Sequence, residues 1–362
     1  MCTATANTSA LVPIIRGLWI HHHVGADYSS ALALGQEMLA LGLSTKDDEQ
    51  LVEGHLYIGM VHMYLARFEQ ARASFEQAIS LYRRPAHPSL IYGAQGDSGV
   101  MAHAYLSPVL WILGEAEAAQ MHSDESLALA DAIGEPMTFA QAWGIRTLFH
   151  AGRKEPKLMA MWAAKTREYT ADRNIAYWLH LSSILERWLD SRNDLAVGIV
   201  KFRESYDAYL ATGARIGLPD FAHLLAGLHL AADAPAIGLE VLHAAEAHIS
   251  NTGEAIAHPD VLRSKGNLLL ALRPGDPDAA QIVFEQAITV ALGNNALIQA
   301  LRASVDLAHL HRRGANVPSA HQVLSTIIFR FAAGLDIPEL RQARATLEEL
   351  TAAINVSLDS VV

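Results

Sequence analysis

Four stretches of the sequence repeat one arrangement of side-chain sizes. A small residue is followed four positions later by a large apolar residue, and three positions after that by a second small one. The four stretches are Ala71/Phe75/Ala78, Gly198/Phe202/Ser205, Gly238/Leu242/Ala245 and Ala280/Phe284/Ala287. Positions i, i+4 and i+7 share one helical face, where small residues let a second helix approach and the large residue fills the gap. The recurrence predicts stacked helical hairpins rather than one globular core.

Composition supports helices and limits the classes of partner. Hydrophobic residues make up 51% of the 362 residues and aromatic residues only 7%, which favours helix over sheet. The net charge is −11 and no cluster of Lys and Arg is present, so we expect no binding to nucleic acid. The single cysteine, Cys2, excludes an internal disulfide and a cysteine-based zinc site.

The sequence also gives an expectation about location. The N-terminal residues lack a basic segment followed by an apolar one, and no uninterrupted run of 18 apolar residues occurs. We therefore expect a cytoplasmic protein without a membrane partner.

Glycine and proline divide the chain into units. We predict an all-α fold, a right-handed α-solenoid of about eight helical hairpins with a capping helix over Pro338–Ala353. Residues 11–353 form the solenoid, with a disordered N-terminus at 1–10, a frayed C-terminus at 354–362 and a candidate hinge at 85–99. The hairpins are expected to form an elongated curved stack without a central catalytic cavity.

Four segments carry a resemblance to a known family. They are YGAQGDSGVMAHAYLSPVLWILG, GIVKFRESYDAYLATGA, RSKGNLLLAL and LDIPELRQARATLEEL. They resemble the C-terminal tetratricopeptide-repeat region of large bacterial regulators, in which a nucleotide-cyclase-type domain and a P-loop ATPase module precede the repeats. A similar region occurs in activators of the maltose-regulator kind. The resemblance implies the repeat architecture and a recognition role in bacterial regulation.

No catalytic signature accompanies this resemblance. The sequence has no G-x-x-x-x-G-K-[ST] phosphate loop, no cyclase domain and no G-x-S-x-G nucleophile elbow. We therefore expect a non-enzymatic protein without a cofactor, which recognises a protein or peptide partner. A homodimer stays open. The alternative is a solenoid that binds a small molecule or metal through its first three units, with a sensing or unconventional enzymatic role.

A partner groove is predicted on the first helices of units one to three, because solenoids of this kind bind through these helices. Its apolar, methionine-rich lining suits a hydrophobic peptide, although the same stripe is also typical of core packing. The predicted groove residues are Arg16, Ile20, His23, Glu53, Leu56, Met60, Met63, Tyr64, Met101 and Trp111.

Histidines form the second candidate site. His22 and His62 occupy equivalent positions in units one and two, and His55 and His103 do so in units two and three. These four residues are the weak metal alternative, since zinc needs all its ligand atoms within about 2.1 Å of one ion. We favour buried, hydrogen-bonded histidines that replace packed aromatic residues, and we predict no metal site.

Overall fold

The computed structural model describes residues 5–83 and 96–359, with side chains for 11–83 and 96–355. This part of the chain is entirely helical, which confirms the predicted all-α fold. The helices are α1 (Thr5–Val24), α2 (Tyr28–Thr45), α3 (Asp48–Tyr64), α4 (Phe68–Leu81), α5 (Ser98–Ile112), α6 (Ala116–Ile133), α7 (Pro136–Gly152), α8 (Pro156–Ala171), α9 (Ala176–Asp190), α10 (Leu195–Ala211), α11 (Leu218–Ala231), α12 (Pro235–Thr252), α13 (His258–Leu272), α14 (Asp278–Gly293), α15 (Leu297–Arg313), α16 (Val317–Ile328) and α17 (Pro338–Asp359).

Consecutive helices pair into eight hairpins, and α17 packs on α16 at the end of the stack. We number the hairpins one to eight in chain order. The helical array begins at Thr5 and ends at Asp359, beyond the predicted limits of 11 and 353. Residues 84–95, which include most of the candidate hinge at 85–99, lie outside the described part of the chain.

The small–large–small stripes lie inside the hairpins. Ala71, Phe75 and Ala78 are completely buried, as are Ala280, Phe284 and Ala287. Two of the large residues face a glycine of the preceding helix. A Cβ atom placed on Gly59 would lie 2.7 Å from the Phe75 ring, and one on Gly266 would lie 2.5 Å from the Phe284 ring. The two helices of these hairpins therefore pack at a distance that only glycine permits.

Aspartates and glycines set the helix ends. The side chains of Asp27, Asp47 and Asp97 accept hydrogen bonds from backbone N–H groups in the first turns of α2, α3 and α5. Gly134 and Gly253 end α6 and α12 in the left-handed conformation, with φ of 73° and 77°. Local capping thus fixes the starts of α2, α3 and α5 and the ends of α6 and α12.

The stack curves until early and late hairpins touch. The Tyr28 hydroxyl donates to Glu254 over 2.9 Å, and Asn295 Nδ2 donates to Glu69 over 2.8 Å, and each pair is separated by 226 residues along the chain. The backbone N–H of Ala255 also donates to the Tyr64 carbonyl oxygen over 2.8 Å. These contacts join the first two hairpins to the loops that follow α12 and α14.

Glu254 is the centre of this closure. Its carboxylate is fully buried and accepts three hydrogen bonds, from the Tyr28 hydroxyl, the Gly217 backbone N–H and His248 Nε2. Burial and the nearby Glu254 carboxylate raise the pKa of Tyr28 well above its ordinary value, so this phenol stays a hydrogen-bond donor. The closure leaves space on the inner face of the stack. The expectation that no central catalytic cavity is present stays a prediction.

Among the helices of residues 5–83 and 96–359, none combines the length and apolar character needed to cross a bilayer.

Candidate functional site

Two cavities lie on the inner face of the superhelix. The N-terminal cavity, of about 800 Å³, is lined mainly by hairpins one to three and by the start of α9. The ladder cavity, of about 370 Å³, is lined by residues of hairpins two to eight. Tyr105 and Tyr177 line both, so the two cavities are neighbours along one inner surface. Both volumes are typical of ligand-binding pockets.

The structure brings most of the predicted groove residues to this surface. Ile20, His23, Leu56, Met60 and Met101 line the N-terminal cavity. Met63, Tyr64 and Trp111 line the ladder cavity instead. These residues are also largely buried, so core packing and cavity lining are combined in the same side chains.

Arg16 and Glu53 line neither cavity. Arg16 Nε donates to both carboxylate oxygens of Glu53, over 3.0 and 2.9 Å, and links α1 to α3. Burial raises the pKa of Glu53 although Arg16 opposes this shift. The pair is a structural contact between two hairpins, and the groove assignment of both residues is corrected accordingly.

His23 lies at the floor of the N-terminal cavity. Its ring stacks on Trp19 with centroids 4.4 Å apart, and Trp19 stacks in turn on Tyr57. Neither ring nitrogen of His23 has a hydrogen-bond partner, and burial lowers its pKa to about 3. The imidazole therefore serves as a neutral aromatic ring, and the predicted hydrogen bond is not formed at this position.

The other histidines do not assemble a metal site. His22 Nδ1 lies 2.9 Å from Asp27 Oδ2, and His103 Nδ1 lies 2.9 Å from His122 Nδ1. Within the described residues, no group of three or more His, Cys, Asp or Glu side chains is arranged to hold a metal ion. The alternative set of His22, His55, His62 and His103 is therefore not brought together.

A ladder of polar residues forms one side of the smaller cavity. Three successive first helices each carry two polar side chains three positions apart, which line the cavity together. We call these six residues the polar ladder: Asp220 and His223 on α11, Asp260 and Arg263 on α13, and Gln299 and Arg302 on α15. Gln299 Nε2 on α15 donates to Asp260 Oδ2 on α13 over 2.9 Å, which connects the polar pairs of these two helices.

The acidic and histidine residues of the polar ladder differ in their protonation. Burial opposes ionisation of Asp260, but His223, Arg263, Arg302 and the Gln299 hydrogen bond outweigh it and lower its pKa to about 2. Burial, together with the Glu254 and Asp260 carboxylates, raises the pKa of Asp220 well above its ordinary value. Burial lowers the pKa of His223 to about 4. At neutral pH the ladder therefore has an ionised Asp260 and a neutral His223, while burial and the two neighbouring carboxylates oppose ionisation of Asp220.

The ladder arginines are paired with carboxylates that do not line the cavity. Arg302 forms an ion pair with Glu339 at 2.7 Å, and Arg263 forms one with Asp306 at 3.4 Å. Arg302 also donates to the Gly152 carbonyl oxygen, which ties hairpin eight to hairpin four. These partners hold the guanidinium groups in place at the cavity wall.

Lys154 adds a third cation to the wall. It follows α7 in a left-handed turn with φ of 56°. Among the described residues it has no carboxylate within ion-pair distance. Partial burial and the nearby Arg302 and Arg263 lower its pKa to about 8, so the amine remains mostly protonated at neutral pH. Its side chain is more exposed than those of the ladder.

Aromatic and aliphatic residues make up another part of the ladder-cavity lining. We call the aromatic residues that line it from α3, α5, α7 and α9 the aromatic wall: Tyr64, Tyr105, Trp111, Phe149, Tyr177 and Trp188. Leu181 and Leu185 lie beside them. The cavity therefore joins an apolar half from hairpins two to five to a polar half from hairpins six to eight.

Sequence analysis did not identify the polar ladder, although a signal exists. The segments Pro219-Asp220-x-x-His223 and Pro259-Asp260-x-x-Arg263 have the same form, and Gln299-x-x-Arg302 follows at the same place in the next unit. Two polar residues on the inner side of a repeating first helix are a binding-surface pattern in a solenoid.

The second hairpin matches the model of a known family. Residues 54–85 match the tetratricopeptide repeat family. No curated protein is significantly similar in sequence to this chain. Solved structures that are similar in fold include the following two. Yeast Tom70 has 13% identity and a TM-score of 0.46, with 92% of this chain and 61% of Tom70 covered.

The second is a Signal Transduction ATPase with Numerous Domains protein with a tetratricopeptide repeat sensor, from Pyrococcus horikoshii. It has 12% identity and a TM-score of 0.46, with 96% of this chain and 49% of that protein covered. This chain therefore spans about half to three fifths of the lengths of these two proteins.

Proposed function

We propose that this chain is a non-enzymatic, tetratricopeptide-like recognition protein that binds a short apolar peptide segment of a protein partner. The observation that carries the proposal is the N-terminal cavity on the inner face of the superhelix, lined by first-helix residues. The repeat match over residues 54–85 supports a recognition role, because such repeats present their inner face to partners.

The lining of the N-terminal cavity favours an apolar segment. Met60, Met101 and Met137 line it together with Ile20 and Leu56. Methionine side chains adapt to irregular apolar shapes, and a pocket of this size can hold several peptide side chains. Charged lining residues are few, so affinity for the peptide would come mainly from burial of apolar surface.

A role in regulation in the bacterial cytoplasm is part of the same proposal. It is supported by the four segments that resemble the repeat region of bacterial regulators. In this arrangement the solenoid supplies recognition of the partner, and any nucleotide chemistry belongs to a separate protein or domain.

The test is selection of binding peptides from a displayed library of random heptapeptides, followed by calorimetry of the enriched peptides. We predict enrichment of peptides rich in Leu, Ile, Met and Phe. Ile20→Glu places a charge on the half-buried lining of the cavity and should weaken binding at least tenfold, since an ionised carboxylate would be desolvated by the peptide.

Ile282→Glu is the matched control. Ile282 is 55% exposed on α14 and lines neither cavity, so the same substitution there should leave peptide binding unchanged. Failure to enrich any peptide, or equal affinity for wild type and Ile20→Glu, would contradict the proposed function.

A further inference from the structure

We propose that the ladder cavity is a second, separate binding site, which takes a small organic acid with an aromatic or aliphatic body. The acid group faces Lys154 and the ladder arginines, and the body lies against the aromatic wall. This inference goes beyond peptide recognition, because it assigns a different ligand to a different cavity.

The charges that line the cavity favour an anion. Lys154, Arg263 and Arg302 are cationic, and the lining carboxylate Asp260 forms an ion pair with Arg263. Glu339 and Asp306 pair with the arginines but do not line the cavity. Even if Asp220 is counted as ionised, the lining carries more positive than negative charge. An anionic ligand would balance the excess positive charge of the lining.

Several polar groups are left without hydrogen-bond partners on this wall, among them Arg263 Nε and Gln299 Oε1. Lys154 has no ion pair among the described residues, and the buried Nε of Arg302 has no hydrogen-bond acceptor. Lys154 is exposed and its amine is solvated, whereas the buried Nε of Arg302 is withdrawn from water without an acceptor, which is costly in free energy. Such a cost is expected where a ligand supplies the missing negative charge.

The aromatic and aliphatic part of the lining favours an apolar ligand body. The aromatic wall presents ring surface from four different helices, with Leu181 and Leu185 between them. Gly227 on α11 also lines the cavity and is exposed, and a Cβ atom added to it would meet no atom within 4 Å. A volume of about 370 Å³ suits one small molecule rather than a folded partner.

The experiment compares two fluorescent probes that share one body and differ by one charge. N-phenyl-1-naphthylamine is neutral, and 1-anilinonaphthalene-8-sulfonate carries a sulfonate on the same rings. We predict that the full chain binds the anionic probe at one site at least tenfold more tightly than the neutral probe. Lys154→Met should remove most of this preference by weakening only the anionic probe.

Two matched controls fix the location of the probes. Lys157→Met removes an exposed lysine of α8 that does not line the cavity, so it should leave both affinities unchanged. Gly227→Phe should fill the cavity and abolish binding of both probes. Gly17→Phe, at a helical glycine that lines neither cavity and also has no atom within 4 Å of an added Cβ, should not.

The outcomes separate this inference from the proposed function. Equal affinity for the two probes, or an equal loss of both in Lys154→Met, would overturn the anion assignment. Probe binding that survives in folded Gly227→Phe would overturn the assignment to this cavity. Peptide binding through the N-terminal cavity is measured independently with Ile20→Glu, so either proposal can fail while the other stands.

Discussion

At the scale of single residues, the stack formed by Tyr57, Trp19 and His23 shows how a polar ring can serve as a core aromatic. His23 is 3% exposed, and both of its nitrogens lack partners. The sequence supports the prediction that the histidines replace aromatic residues, since such units normally place large rings here. It could not reveal the missing hydrogen bond, because partners depend on which helix ends lie nearby in three dimensions.

This histidine should make folding sensitive to acid. Burial lowers its pKa to about 3, below the ordinary value of 6.5, so the unfolded chain binds the proton more tightly than the folded one. Stability is therefore complete above about pH 6.5 and falls as the pH drops towards 3. Between pH 7.5 and pH 5 this one residue should lower the free energy of unfolding by about 2 kcal/mol.

His23→Phe should remove the one proton that this residue takes up on unfolding in acid. The free energy of unfolding should therefore depend less on pH and be higher at pH 5. The measurement is urea denaturation at a series of pH values. His21→Phe is the control, because His21 is exposed and its replacement should leave the pH dependence unchanged. An identical pH profile for wild type and His23→Phe would contradict the account of this residue.

At the scale of helices and hairpins, the sequence is most informative. The glycine and aspartate caps and the small–large–small stripes are local signals, so the predicted hairpins are confirmed. The pairing of Gly59 with Phe75 and of Gly266 with Phe284 explains why the stripes recur. Each ring occupies the place where the side chain of the opposing residue would otherwise lie.

Two glycine-to-alanine substitutions in helices should change the free energy of unfolding in opposite directions, because only one of these glycines packs against a ring. Gly266→Ala places a Cβ 2.5 Å from the Phe284 ring and should destabilise the chain by about 1–3 kcal/mol. Gly227→Ala meets no atom within 4 Å and should stabilise by up to about 1 kcal/mol through helix propensity.

Chemical denaturation of the two variants tests this difference. Phe284→Leu in the Gly266→Ala background should recover part of the lost stability, since the shorter side chain gives the new methyl group room. Stabilisation by Gly266→Ala would show that the two helices do not pack as closely as described.

At the scale of the whole molecule, the closure of the superhelix decides where the cavities lie. Its contacts join residues 226 positions apart, and local periodicity contains no information about such contacts. The buried Glu254 follows the cap at Gly253 and has no distinguishing sequence pattern. The candidate site was therefore only partly predictable. Its apolar residues on hairpins one to three were identified, and the polar ladder on hairpins six to eight was not.

The distance between the turn regions of the second and seventh hairpins tests the closed superhelix most directly. Spin labels at Glu69→Cys and Asn295→Cys, with Cys2→Ser removing the native thiol, report this distance by double electron–electron resonance. The structure places the two native side chains 2.8 Å apart, so we predict a single, narrow distribution at short distance. In an open stack, the five hairpin steps from the second to the seventh hairpin, at about 10 Å each, would separate the labels by roughly 50 Å. That result would contradict the closed superhelix and both cavities.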